Sequence, residues 1–332
     1  MTQKQLSKQN GLSLVELLVA LALSSALMAG IIDIYLENKR NYVQNEEYAR
    51  LQENGRFALG LLKREVIMAG FYAGLPEPSG MTASAISTDC VSSGNWALGL
   101  DASIELANDI ATSGSVQTVS STTFSSTCMN ATELQAGSDV LAIKRTADTP
   151  TLENGNLNVG AASDKQWYLR LEEYGGTRSW EYIADGGSIP ASDATAGSKV
   201  DYWEFYAKIL FIQSYSGSAG DNIPSLCIKS LENSAFTKNC FVEGIEDLQV
   251  EVGIDTNSDG YANQYVSAPT AAQLQNAVAV RLHLLVRSVN EIQGYTNNKT
   301  YALGGKTVTA NDGYLRQVYS STVLLRNDQL DI

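Results

Sequence analysis

Apolar side chains run almost unbroken from residue 12 to residue 32, in the order LSLVELLVALALSSALMAGII, and the only charge among them is Glu16. A run of roughly 20 apolar residues matches the hydrocarbon thickness of a bilayer, so the segment reads as one membrane-spanning helix. A polar leader, residues 1–11, precedes it with Lys4 and Lys8 and no acid, and those lysines hold the N-terminus on the cytoplasmic side. Past the run the pattern becomes amphipathic. Ala58, Leu61, Leu62, Val66 and Ala69 recur at three- and four-residue spacing, one stripe of a helix. Residues 37–50 between run and stripe are polar and contain tyrosine. With no proline before Pro76, one helix over residues 12–72 is predicted, on the order of 90 Å long. Gly30, Gly55 and Gly60 are its expected weak points, and Pro76 and Pro78 its expected end.

Beyond the helix the period drops to two. Strands are expected over 140–145, 166–171, 204–213, 225–229, 247–254, 279–287 and 317–325, separated by Gly, Ser and Asn. The alternation is clearest in the sixth. Val278, Val280, Leu282, Leu284 and Val286 face one way, and Arg281, His283 and Arg287 the other. Such strands suit an antiparallel sheet packed by one face on the amphipathic half of the helix. Residues 79–127, rich in Ser, Thr, Ala and Gly, read as a long connection with short elements. The fold class is therefore α+β. The expected organisation is a leader at 1–11, a long helix at 12–72 (transmembrane over 12–32) and a β-rich body with long insertions at 73–332. No second independent domain or tandem repeat is visible.

Composition narrows the chemistry. The 332 residues carry 23 basic and 36 acidic side chains, a net charge of −13, which argues against direct nucleic-acid binding. The single histidine, His283, leaves no His cluster for a metal, and any Ser-His-Asp triad must use it. On the charged face of a strand it reads as a surface or packed residue. With no convergent acid, base and nucleophile in view, the chain is read as not an enzyme. Gly304-Gly305-Lys306-Thr307 matches the end of a phosphate-binding loop, but Thr300 stands where its first glycine belongs, so a turn entering a strand is expected. Four tryptophans and sixteen tyrosines are read mostly as core or interface anchors.

The N-terminal pattern fits neither a secretory signal peptide, whose apolar region is shorter, nor a plain anchor, which leaves Glu16 unexplained. Lys8-Gln9-Asn10-Gly11 followed by Leu12-Ser13-Leu14-Val15-Glu16 resembles the class III signal of type IV pilins and pseudopilins. The resemblance implies cleavage after Gly11 by a prepilin peptidase and N-methylation of Leu12, where the family favours Phe. It also makes Glu16 the fifth mature residue, an assembly residue that neutralises a neighbour's terminal amine. A second stretch, Arg50-Leu51-Gln52-Glu53-Asn54-Gly55-Arg56-Phe57 with Leu62, Arg64 and Glu65, looks like the minor pilins of the PilW kind, cousins of the J-type type II secretion pseudopilins. Leu315 to Asn327 is similar to the end of the same family.

What the resemblance implies is a minor pilin of the initiation or tip complex, supporting type IV pilus biogenesis and through it motility, adhesion or DNA uptake. It is expected as a single-pass inner-membrane precursor with a periplasmic body, and at the pilus tip after assembly. Its implied partners are other minor pilins, the major pilin, a tip adhesin, the prepilin peptidase and the membrane. The alternatives are a pseudopilin tip component of a type II secretion system and, from another class, a membrane-anchored periplasmic binding protein or enzyme. In an oxidising compartment the four cysteines are expected to pair. Of three connectivities, Cys90–Cys128 and Cys227–Cys240 are preferred as local loops.

No cofactor is required by this reading. Asp255-Thr256-Asn257-Ser258-Asp259-Gly260-Tyr261 does resemble the first half of an EF-hand loop, with Asp255, Asn257, Asp259 and the Tyr261 carbonyl as calcium ligands. The second half departs, with Asn263 at position nine and Val266 where a bidentate Glu belongs. An Asx-rich hairpin turn held by its own side chains is the other reading, and both stay open.

Overall fold

The computed structural model describes residues 11, 13–73, 75, 85–100, 102–111, 113–157, 166–175, 177–183, 189, 192–193 and 198–327. Helix α1 (Leu14–Ile67) is continuous over 54 residues, about 80 Å at 1.5 Å per residue. Ser13 caps it. The Ser13 hydroxyl accepts from Glu16 N at 3.2 Å while Glu16 Oε2 accepts from Ser13 N at 2.9 Å, a capping box. The helix ends five residues earlier than expected. Gly70 adopts φ +74° and donates its N–H to Lys144 O at 3.0 Å, so the chain leaves the helix for the edge of a sheet. Pro76 and Pro78 lie outside the described residues. The helix also runs straight through Gly30, Gly55 and Gly60. Gly55 has a positive reason to be there: a Cβ on it would overlap the Tyr319 ring.

The strands follow in chain order as β1 (Ile104–Ala107), β2 (Val116–Gln117), β3 (Thr123–Phe124), β4 (Val140–Thr146), β5 (Leu152–Glu153), β6 (Asn156–Leu157), β7 (Trp167–Tyr174), β8 (Thr177–Ile183), β9 (Ser198–Gln213), β10 (Ser225–Glu232), β11 (Ala235–Glu243), β12 (Ile245–Ile254), β13 (Gln264–Val266), β14 (Ala277–Arg287), β15 (Thr300–Leu303), β16 (Lys306–Thr309) and β17 (Arg316–Leu324). A short helix, α2 (Ala271–Leu274), precedes β14. The larger sheet runs β1-β4-β9-β10-β11, and β9 is long enough to pair with β4 and β10 by its second half and with the β7–β8 hairpin by its first. The smaller sheet runs β13-β12-β14-β17, antiparallel throughout.

Two cores follow from this layering. The inner one joins Leu51, Ala58, Leu62, Val66 and Ala69 of α1 and the turn after it to Leu210, Ile212, Leu226 and Ile228 of the larger sheet and Leu248, Val250, Leu282, Leu284 and Val323 of the smaller. Each large aliphatic side chain buried there contributes roughly 1.5–3 kcal/mol. The outer core, around Trp96, Leu98, Phe124, Phe205, Ile209 and Phe211, lies against the larger sheet. The expected one-sided burial of β14 needs correcting. Its inward set is buried as read, but His283 and Leu285 on the opposite face are buried too, because the β15–β16 hairpin roofs that face. Gly304 (φ +61°) makes the roof fit: a Cβ there would stand 2.8 Å from Glu251 Cδ and 3.0 Å from His283 Nε2.

Candidate functional site: a bare half-helix and its fastening to the body

The two halves of α1 have different surroundings. From Leu14 to Leu36 the large apolar side chains are exposed, and this half is long and apolar enough to cross a membrane. Its polar groups are satisfied locally. Ser24 Oγ donates to Ala20 O, and Ser25 Oγ to Ala22 O at 2.9 Å, so the hydroxyls need no water. Gly11 is exposed at its start, and Leu12 lies outside the described residues. Glu16 stands on the first turn, where its carboxylate accepts from Ser13 N.

The second half is fastened along its length. Asn290 donates to Glu47 Oε1 at 3.0 Å, and Asn54 donates to Glu243 O at 3.0 Å. At Glu65 the contact is ionic: Arg145 Nε lies 2.9 Å and Lys208 Nζ 2.7 Å from its two oxygens, all three side chains largely buried. Burial pushes the Glu65 carboxyl up, but Arg145 and Lys208 outweigh it and hold the group below the usual carboxylate range. Arg145 also stacks 4.7 Å over Tyr206. Asn327, shortly after β17, closes the helix end: its amide donates to Ile67 O and Ala69 O at 3.2 Å. These free carbonyls of the last turn need such partners. Behind it, Arg316 forks onto Glu246 (2.5 and 2.9 Å) and Asp312 (2.6 and 2.7 Å). The two segments with the PilW-like sequence thus meet in space, Gly55 against Tyr319 and Ile67 under Asn327.

Sequence reasoning missed this lock. The available signal was Glu65 itself, a carboxylate one position from the apolar stripe. It also missed Asp139, fully buried at the start of β4, whose oxygens accept from Asp109 N at 2.8 Å and Val250 N at 2.7 Å, tying the two sheets together. Burial, with the Asp109 and Asp247 carboxylates nearby, pushes its pKa up to about 7 against those two hydrogen bonds.

The remaining candidates fall elsewhere. Disulfides join Cys90 to Cys128 and Cys227 to Cys240, the latter a directly facing pair in the β10–β11 hairpin, whose turn holds Asn233 at φ +52°. In the 255–261 loop, Asp255 accepts from Asn257 N, Ser258 N and Gly260 N at 2.7–3.0 Å. Asp259 accepts from Tyr261 N and from the Asn257 amide, both at 2.9 Å. Those are the bonds of an Asx turn. The two glutamates of β12 have partners of their own, Glu246 in Arg316 and Glu251 in His283 and Arg281. His283 lies between Ser320 Oγ (2.8 Å from Nδ1) and Glu251 Oε2 (3.1 Å from Nε2), a packed polar relay across three strands. Lys306 sits on β16 beside the Gly304-Gly305 turn and pairs with Asp247 at 2.7 Å, not with a phosphate loop.

The fold is α+β and pilin-like: a bare apolar half-helix long enough to cross a membrane, and an antiparallel body that grips the other half. Residues 6–32 match the family model of the prokaryotic N-terminal methylation motif, and residues 209–327 match that of type IV pilus-assembly protein W. Over these two stretches the chain is similar to type IV minor pilins of the PilW kind. The second match starts in β9, spans the smaller sheet and ends at Asn327, the residue that closes α1. No curated protein and no solved structure matches the chain.

Proposed function

We infer that this protein is a minor pilin of the initiation or tip complex of a type IV pilus, acting by assembly and not by catalysis. The observation that carries the reading is the division of α1: one half bare, with Glu16 the only charge in its 12–32 apolar run, the other locked into a disulfide-stapled body. The match to a pilus-assembly family favours a pilus over a secretion pseudopilin. In this reading a prepilin peptidase cuts after Gly11 in the inner membrane and the body waits in the periplasm. Other minor pilins, the major pilin and a tip adhesin then gather around the exposed half-helix, and the finished subunit is displayed at the pilus tip.

Cleavage gives Leu12 a cationic amine next to the apolar segment. Glu16 of an adjoining subunit neutralises it, removing two unpaired charges from a low-dielectric setting and fixing register. To do so Glu16 gives up its bond to Ser13 N, one arm of the capping box. The test begins with maturation. Gly11→Val puts a branched side chain at the scissile bond, and the chain should keep its leader; N-terminal sequencing that still starts at Leu12 would overturn the processing step. Capture of the full-length protein from solubilised membranes should then bring down other minor pilins, and their absence would count against the complex.

A further inference from the structure

A cleft of about 850 Å³ opens beside the outer core. Its walls are two loops joined by the Cys90–Cys128 disulfide, by a bridge between Val91 and Phe124, and by Ser125 N donating to Cys90 O at 2.7 Å. The cleft is therefore preformed. Ser92, Ser93 and Asn95 line one wall, and Ser121, Thr123 and Ser126 the other, all six exposed. Trp96 and Phe124, edge to face at 5.0 Å, form the apolar part.

Among the described residues, the two charged side chains that line it, Glu105 and Lys144, are already committed. Glu105 accepts from Trp96 Nε1 at 2.7 Å and from Thr118 Oγ1 at 2.9 Å. Lys144 donates to Gly99 O at 2.7 Å and lies 4.8 Å over the Trp96 ring. A phosphorylated ligand needs cations at the rim, and a cationic ligand needs an open carboxylate. An acyl chain needs apolar walls, since hydroxyls facing it would lose their hydrogen bonds to water. A neutral molecule with many hydroxyls fits what is left, because it exchanges hydrogen bonds to water for bonds to serine, threonine and asparagine.

We propose that this cleft binds a neutral oligosaccharide. Its volume lies in the range of roughly 300–1,000 Å³ that holds small ligands, which suits a short saccharide. The inference concerns the body alone and is independent of the filament reading. The test is saturation-transfer NMR on the full-length protein in lipid nanodiscs, with lactose, maltose and N,N′-diacetylchitobiose as neutral probes and glucose 6-phosphate as the anionic one. Transfer to at least one neutral disaccharide is expected, with none to glucose 6-phosphate. Ser126→Trp and, on the facing wall, Ser92→Trp fill the cleft from surface positions and should each abolish the signal without changing the melting temperature. No transfer to any neutral probe, preference for the phosphate, or transfer undiminished in both variants would overturn the proposal.

Discussion

At residue 65 a carboxylate faces two cations across the buried interface between α1 and the larger sheet. Removing it with Glu65→Ala strands Arg145 and Lys208 inside, and breaking such a buried set costs about 3–5 kcal/mol. Glu65→Gln keeps an acceptor and should lose less; chemical denaturation of both variants checks the order. Glu65 and Asp139 also respond oppositely to pH. The Glu65 carboxyl is held low in the fold, so its contribution is present above the ordinary carboxylate range and fades as pH falls through its lowered value. Asp139 titrates near 7 in the fold and near 3.8 outside it. Its contribution is complete below the unfolded value and is lost as pH rises to about 7. Relative to Asp139→Asn, the wild type should therefore gain melting temperature as pH is lowered from 8 to 5. A difference that stays flat across that range would contradict the assignment.

Two glycines of α1 separate propensity from packing at the scale of the element. Gly60 has open space around its would-be Cβ, so Gly60→Ala should stabilise by up to about 1 kcal/mol through helix propensity. Gly55→Ala gains the same propensity but overlaps Tyr319, and overpacking of about 1–3 kcal/mol should make it a net loss. Thermal melting of the pair tests whether β17 sits on the helix as described. The 255–261 loop closes on its own N–H groups, so Asp255→Ala should lower the melting temperature equally in millimolar calcium and in chelator. A calcium-dependent rise that this variant abolishes would make the loop a cation site instead. The sequence revealed those elements whose apolar pattern reports burial, namely α1, β4, β7, β9, β10, β12, β14 and β17. β8 and β11 carry Arg178, Glu181, Lys238 and Asn239 outward and have no such pattern. The end of α1 was misread because a glycine turn pre-empts the prolines. The lock was illegible for a different reason: Arg145 and Lys208 lie 80 and 143 residues from Glu65, and only the fold brings them together. The burial of His283 likewise depends on a hairpin that arrives later in the chain.

The whole molecule is a body built to hold one helix by half its length. The hydrogen bonds and ion pairs from the body reach α1 at Glu47, Asn54, Glu65 and its last turn, while the large apolar side chains from Leu14 to Leu36 stay exposed. That division gives the central claim its sharpest form: the bare half, through Glu16, carries assembly, and the body does not depend on it. Glu16→Val removes the only charge from the apolar segment, so the variant should be processed, inserted and as stable as the wild type. The deciding measurement is the amount of surface pili sheared from cells whose only copy carries Glu16→Val, with the mature protein quantified in their membranes. The account predicts a sharp drop in pili at normal protein level. Wild-type pili at that level, with the variant recovered alongside the other minor pilins, would contradict it.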